Sequence, residues 1–323
     1  MKLPRRNFLH LAAAAAVLPF APHVARAQAY PSRPVRLIAG FPPGGVVDVF
    51  ARLIGQWLSE RLGQQFVIEN RAGAGGNLAT EAVVKALPDG YTLLMIGSNN
   101  AWNVTLYENL SFNFTRDIAP VASIYRTPFV MLVNPSVPAK TLPEFIAYAK
   151  ANPGKLNMAS SGSGGGPHVF GELFKAMAGV DMVHVPYRGN PFPDLLSGQV
   201  QVFFISIPPA LEFIRTDKLR ALAVTTAMRQ EVLPDIPTVG EFVPGYEASA
   251  WQGIGAPKNT PTEIIDRLNR EINDGLADPK MKAQLLNLGG SVLALSSSAF
   301  GKLVAEEVEK WGKVIQAANI KLD

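Results

Sequence analysis

The chain of 323 residues predicts an α/β protein built as two lobes, and three observations carry that prediction. Apolar runs of strand-like composition alternate with runs at helical spacing, first over 35–96 and again over 129–225. The two series are joined by extended segments, which predicts two lobes in preference to one continuous sheet. Each series also carries a glycine-rich turn between a strand and a helix, GFPPGGVVD at 40–48 and SSGSGGGPH at 160–168.

In the first series VRLIA at 35–39 reads as a strand, and 45–62 as a helix. In that helix Val46, Val47, Phe50, Leu53, Ile54, Trp57, Leu58 and Leu62 recur at three- and four-residue spacing, an apolar stripe for the sheet, and Gly63 sits where a C-terminal cap is expected. A strand at 66–69, a helix at 77–87 and a strand at 91–96 complete a βαβαβ unit. The stretch 98–114, rich in Asn and aromatics, reads as less regular, and an extended segment at 129–133 leads to Asn134-Pro135. The second series then runs through helices at 141–151, 167–178, 191–197 and 208–216, alternating with strands at 156–160, 182–187, 200–206 and 219–225.

The tail supplies a strand at 251–255 and helices at 261–277, 279–288 and 298–318. In the last helix Phe300, Leu303, Val304, Val308, Trp311 and Ile315 share one face, while Glu306 with Lys310 and Glu309 with Lys313 are spaced as ion pairs on the other. The tail is expected to return to the first lobe, which assigns 28–125 with 249–323 to lobe 1 and 126–248 to lobe 2.

Residues 1–27 read as an export signal of the twin-arginine type. Arg5-Arg6-Asn7-Phe8-Leu9 precedes an apolar segment at 11–20, too short for the roughly 20 residues that span a bilayer, and Ala25-Arg26-Ala27 fits an A-x-A cleavage site. Its removal takes away Lys2, Arg5, Arg6 and Arg26 and no acid, so 26 basic groups remain against 26 acidic ones. The net charge of +4 belongs to the leader, and no basic footprint for nucleic acid remains. The absence of cysteine excludes disulfides, thiolate nucleophiles and Cys-based metal sites. A periplasmic monomer with no cofactor is expected.

Both turns suit a small anion better than they suit catalysis. In Pro42-Pro43-Gly44-Gly45, Pro43 presets φ for the second position of a type II turn and Gly44 can take the positive φ required next. The turn leads directly into a helix whose first N–H groups lack intrahelical partners, and the glycines leave them open. Asp48, in that first helical turn, either caps the helix or lines the rim. The second turn concentrates hydroxyls and N–H groups at Ser161, Gly162, Ser163 and Gly164. It matches neither the P-loop, for want of a Lys-Ser/Thr pair, nor G-x-S-x-G, because position 161 is serine. His168 and His184 lie sixteen residues apart without a metal-spaced partner, so no metal site is expected; His168 reads as a donor to ligand or as a helix-start residue bonded to the loop. Ser98 and Asn99 follow the third strand, at the carboxyl edge where open α/β sheets bind ligands. Tyr187 and Arg188, closing the strand at 182–187, are candidates to cover the ligand and to supply a cation.

The motifs YPSRPVRLIAGFPPGG, VIENRAGAGGN (67–77), PDGYTLLM (88–95), SGSGGGPH (161–168), VHVPYRG (183–189), LPDIPTVGE (233–241) and WQGIGAP (251–257), in this order along the mature chain, resemble the Bug/TctC family of solute receptors of tripartite tricarboxylate transporters. The resemblance implies a two-lobed Venus-flytrap of the type II periplasmic binding-protein kind, a carboxylate held between the lobes, and delivery to a membrane permease. It implies one anchoring loop per lobe, here Phe41–Gly45 and Ser160–Gly164. Gln201 and Ile205 stand where the family frequently has acids; if Ile205 faces the cleft, an amino group on the ligand loses its counter-charge, which favours a non-amino or aromatic carboxylate. Asn190-Pro191-Phe192-Pro193 likewise replaces a stretch that is usually small and flexible. Two other function classes use the same residues: a hydrolase, if Ser163, His168 and Asp194 converge, and a sensor presenting the ligand to a signalling partner.

Overall fold

The computed structural model describes residues 30–322, so the export signal read over 1–27 lies outside the described residues. The first half of the chain contains β1 (Val35–Ala39), α1 (Val46–Leu62), β2 (Phe66–Asn70), α2 (Asn77–Val84), β3 (Thr92–Gly97), α3 (Ser98–Leu106) and the short α4 (Phe114–Asp117). A long strand follows, β4 (Ile118–Val133). Beyond it come α5 (Leu142–Ala151), β5 (Asn157–Ser160), α6 (Gly166–Ala178), β6 (Val183–Pro186), α7 (Phe192–Ser197), β7 (Val202–Ser206), α8 (Ile207–Arg215) and β8 (Arg220–Val224). The chain ends with β9 (Ser249–Pro257), α9 (Thr262–Ala277), α10 (Pro279–Asn287), β10 (Ser291–Val292) and α11 (Ser297–Ala317).

The strands join in the order β2-β1-β3-β9-β4-β7-β5-β6, with β8 and β10 also on β4. This corrects the expectation of separate sheets. β4 belongs to both ladders: residues 118–128 pair with β9, and 129–133 pair with β7 and β8. Its first half escapes a sequence reading because Pro120 and Pro128 look like strand breakers. In the structure Pro120 stands at a register shift and Pro128 pairs with Ser249 at the end of the ladder, positions where a missing N–H is tolerated. The stretch 98–114 is also more regular than its composition predicts, since it contains α3, whose buried Asn100 and Asn103 use their amides on neighbouring groups.

Among the described residues the buried apolar side chains form four clusters along this sheet. In the first, Phe50, Ala51, Ile54 and Leu58 of α1 pack on β1 and β3, and Gly63 closes the helix at φ +71°. Val46, read into that stripe, is 60% exposed, because the helix starts at the sheet edge and its first turn has nothing to cover. In the second core Phe170 and Phe174 of α6 pack with Phe204 of β7 and Phe145 of α5. The last helix does not stay on the first half. Phe300 and Val304 join a third cluster with Ile96 and Trp251, whereas Trp311 and Ile315 enter the second beside Trp102 and Phe170. Glu309 and Lys313 form the anticipated pair at 2.6 Å, but Lys310 passes Glu306 by and donates to the Glu247 carbonyl at 2.6 Å.

Candidate functional site

Strand register brings the two turns to one place. β3 ends at Gly97, opposite Gln252 of β9, and Gln252 faces Tyr125 of β4. β7 ends at Ser206, opposite Phe129 of the same β4 strand. The carboxyl ends of both parallel sets therefore point at residues 125–129 from opposite sides, and the loops leaving them converge. Helix α3 runs between those loops. Near its start Asn99 and Asn103 each donate to the Gly75 carbonyl at 3.0 Å; at its end Leu106 lies where a Cβ on Gly164 would meet it at 2.8 Å.

The first turn takes the form its residues dictate. Gly44 has φ +81°, and the Gly45 N–H donates to the Pro42 carbonyl at 3.4 Å, closing the type II turn. Gly44 and Gly45 are exposed, as is Pro43, and no side chain caps the helix that Gly45 begins. The Gly44 N–H, however, is taken: it donates to Asp48 Oδ2 at 2.9 Å. Asp48 is only 2% exposed and also accepts from Arg52 at 2.9 and 3.0 Å and from Asn70 at 2.9 Å. The Arg52 hydrogen bonds, aided by the Gly44 and Asn70 donors, outweigh desolvation and hold its carboxyl down at about 2. Asp48 is therefore the cap of this turn and does not line its rim. The Phe41 carbonyl accepts from Asn70 at 3.0 Å, and its ring stands over Gly76.

The second turn repeats the arrangement with other side chains. Gly162 and Gly164 have φ +115° and +75°, the Gly165 N–H donates to the Gly162 carbonyl at 3.4 Å, and no side chain caps α6. Ser161 is exposed, and Gly162 and Ser163 are half-buried. His168 lies beneath the turn, 6% exposed, and its Nδ1 accepts the Gly164 N–H at 3.2 Å, so it is the loop-bonded helix-start residue.

Other predicted residues are placed less directly. Ser98 is buried and accepts from the Trp251 N–H at 2.8 Å, so it fastens β9 and does not reach the edge. Asn99 is half-buried with its amide on Gly75. The Tyr187 hydroxyl donates to Asp194 at 2.6 Å; burial first, and then that carboxylate, push it up to about 12. Arg188 is exposed. Ile205 is half-buried against the cluster of Phe203, Phe192 and Leu195, a packing role that its strand alternation decides. Gln201 is engaged as well, accepting from Asn157 N–H at 2.8 Å and donating to the Gly198 carbonyl at 2.6 Å.

One element of the edge was missed as a site by sequence reasoning. The loop after β2 runs through Gly73, Ala74, Gly75 and Gly76, all at positive φ, and a Cβ on Gly40 would lie 2.8 Å from Gly76 Cα. The signal was the glycine density of RAGAGGN; what was lacking was the partner, because the asparagines that fix the loop lie on α3, over twenty residues away.

A mixed α/β sheet whose two parallel sets meet on one long strand, with uncapped helix starts following their carboxyl ends, defines the class: a two-domain periplasmic binding protein, a receptor for a solute. More particularly, the chain belongs to the family described as the tripartite tricarboxylate transporter family receptor (TctC), which it matches over residues 50–320. It is similar to Protein BugT of Bordetella pertussis strain Tohama I, with 35% identity over 301 residues that cover 92% of each chain. Among solved structures it is similar to R. palustris Rpa4515 with adipate, at 36% identity and a TM-score of 0.76, covering 91% of this chain and 100% of that one. MatC from Rhodopseudomonas palustris with bound malate is 32% identical with a TM-score of 0.72, covering 88% and 100%. Family and neighbours are solute-binding receptors and not enzymes, which sets the hydrolase reading aside. No helix among the described residues is long and apolar enough to cross a membrane.

Proposed function

We infer that this receptor works in the periplasm as a monomer, captures a small organic carboxylate between its halves and passes it unchanged to a permease of the tripartite type. The observation that carries the reading is the convergence of two uncapped helix starts, at Gly45 and Gly165, on one junction. The groups left to an anion are the first helical N–H groups, at Val46 and Val47 and at Gly166, with Ser161 exposed in the second turn and Arg188 exposed after β6. Each such bond to a carboxylate contributes about 1.5–3 kcal/mol, so a few of them approach the roughly 8 kcal/mol of micromolar affinity. Only approach of the halves brings both starts onto one ligand, which selects the closed arrangement. We take the lobes as 28–125 with 249–323 and 126–248; the partner change of β4 after Pro128 supports this division, and α11 is shared between them.

The surroundings also favour a ligand without an amino group. Asp48 is paired with Arg52, Glu172 with Lys175, Asp194 with the Tyr187 hydroxyl, and Gln201 and Ile205 supply no charge. The adipate and malate in the related structures are both acids of this kind. Mass spectrometry of the molecule co-purifying with exported protein, followed by calorimetry with that molecule, tests the reading. A bound carboxylate recovered unmodified is expected; turnover of it, or failure of any organic acid to bind, refutes the reading.

A further inference from the structure

The second turn is held by a pair of imidazoles. The His168 ring lies flat on that of His184, with centroids 3.5 Å apart and planes within 8°. His184 Nε2 is 2.6 Å from Ser160 Oγ, and that hydroxyl is within hydrogen-bond reach of the Gly162 carbonyl and N–H at 3.1 and 3.2 Å. His168 Nδ1 in turn accepts from Gly164 at 3.2 Å. One stacked pair therefore secures the turn at both ends, from Ser160 to Gly164. An Nδ1 that accepts an N–H carries a lone pair, and a second proton on the ring converts that acceptor into a donor facing another donor.

Glu172 Oε1 is 3.7 Å from His168 Nε2 but is itself paired with Lys175 at 2.9 Å. From β6 the ring meets His184, and from β5 that second ring meets Ser160. Toward Gly164, α3 and the C-terminal tail present Leu106 and Leu322. Beside Glu172 and Lys175 the last helix presents Val314, Ala317 and Ala318, none of them charged.

Building on the receptor reading above, we propose that His168 is a positioning residue that makes ligand affinity depend on pH: a proton at its Nδ1 withdraws the acceptor from Gly164, loosens the second turn and weakens binding on acidification. In the first turn the same seat is filled by Asp48, which stays ionised across the range in which histidines exchange protons. The pH response is thus assigned to one turn only.

The test uses the full mature chain labelled with ¹⁵N-glycine and follows the Gly164 amide resonance without ligand from pH 8 to 5.5, then measures adipate and malate by calorimetry over the same range. In the wild type the Gly164 resonance moves along a single proton-uptake curve, and the dissociation constant rises on the order of tenfold between pH 7.5 and 5.5. His168→Asn, whose side-chain oxygen can accept the Gly164 N–H without titrating, gives a dissociation constant that stays level on acidification whatever its value at pH 7.5; because it meets the same acids, it removes ligand protonation from the comparison. A Gly164 resonance that does not move overturns the proposal. So does a dissociation constant that holds steady or falls at pH 5.5 while Gly164 titrates. If neither acid binds at any pH, the carboxylate reading fails for these ligands, and the Gly164 curve in the wild type decides the proton uptake by itself.

Discussion

The turns at 42–49 and 162–169 share one backbone and differ in almost every side chain. Their helix-starting glycines, Gly45 and Gly165, have φ/ψ of −74°/166° and −76°/165°. Each follows a glycine at positive φ whose N–H is taken by a side chain four residues on, Asp48 or His168. The charge logic is inverted: the acid has a cation four residues later, Arg52, and the imidazole has an acid there, Glu172. The packing is inverted too, since a Cβ on Gly44 would meet nothing within 4 Å, whereas one on Gly164 would strike Leu106 and Leu322. A bend that leaves its helix start uncapped is thus specified by its glycines, and what supports it from behind is free to vary. The first is locked by ionic bonds at an open rim, the second by packing at the junction.

Substitutions that break the comparison at the glycines have the largest effect. Gly164→Val combines the strain of a positive φ with a clash against Leu106, so stability falls by about 3 kcal/mol and binding is lost. Gly44→Val meets only the strain, about 1–2 kcal/mol, while affinity drops on the order of 100-fold as the open N–H groups are obstructed. Denaturant melts with calorimetry separate the two; equal losses of stability would show that the second turn is not clamped. Asp48→Ala comes next, with about 1 kcal/mol lost at neutral pH. Because the Asp48 carboxyl titrates lower folded than unfolded, its contribution is complete above about pH 4 and disappears as pH falls toward about 2. The variant should lack that part of the wild-type acid slope, and an unchanged slope would remove the ionic lock. Ile205→Asp is the mildest: if the half-buried side chain borders the cleft, the ligand profile gains amino-carboxylates, and an unaltered profile confines Ile205 to packing.

Much of this arrangement was legible along the chain. The βα alternation, the positive φ at Gly44 and the cap at Gly63 follow from local sequence, because each is decided by residues within a few positions. What local sequence does not decide is which neighbour a side chain meets. Asp48 could face ligand or its own helix start until Arg52 and Asn70 were seen on it; Ser98 looked like an edge residue until Trp251 of β9 claimed it. Tyr187 pairs with an acid seven residues on, which strand and helix periodicities do not connect. β4 was half hidden because its first half carries Pro120 and Pro128, and the register shift and ladder end that accommodate them are set by a partner strand far along the chain.

The last helix has a mechanical consequence. Because Phe300 and Trp311 are rooted in different cores, the two halves are tied at three places along the chain and not only at the two strand crossings. The contacts of the Trp102 and Trp311 indoles with Phe170 of the other half, 5.8 and 5.1 Å between ring centroids, survive a rotation only if the fulcrum lies close to them. Displacement then grows with the lever arm toward the far lips, so a jaw motion wide enough to admit a solute leaves these indoles nearly still.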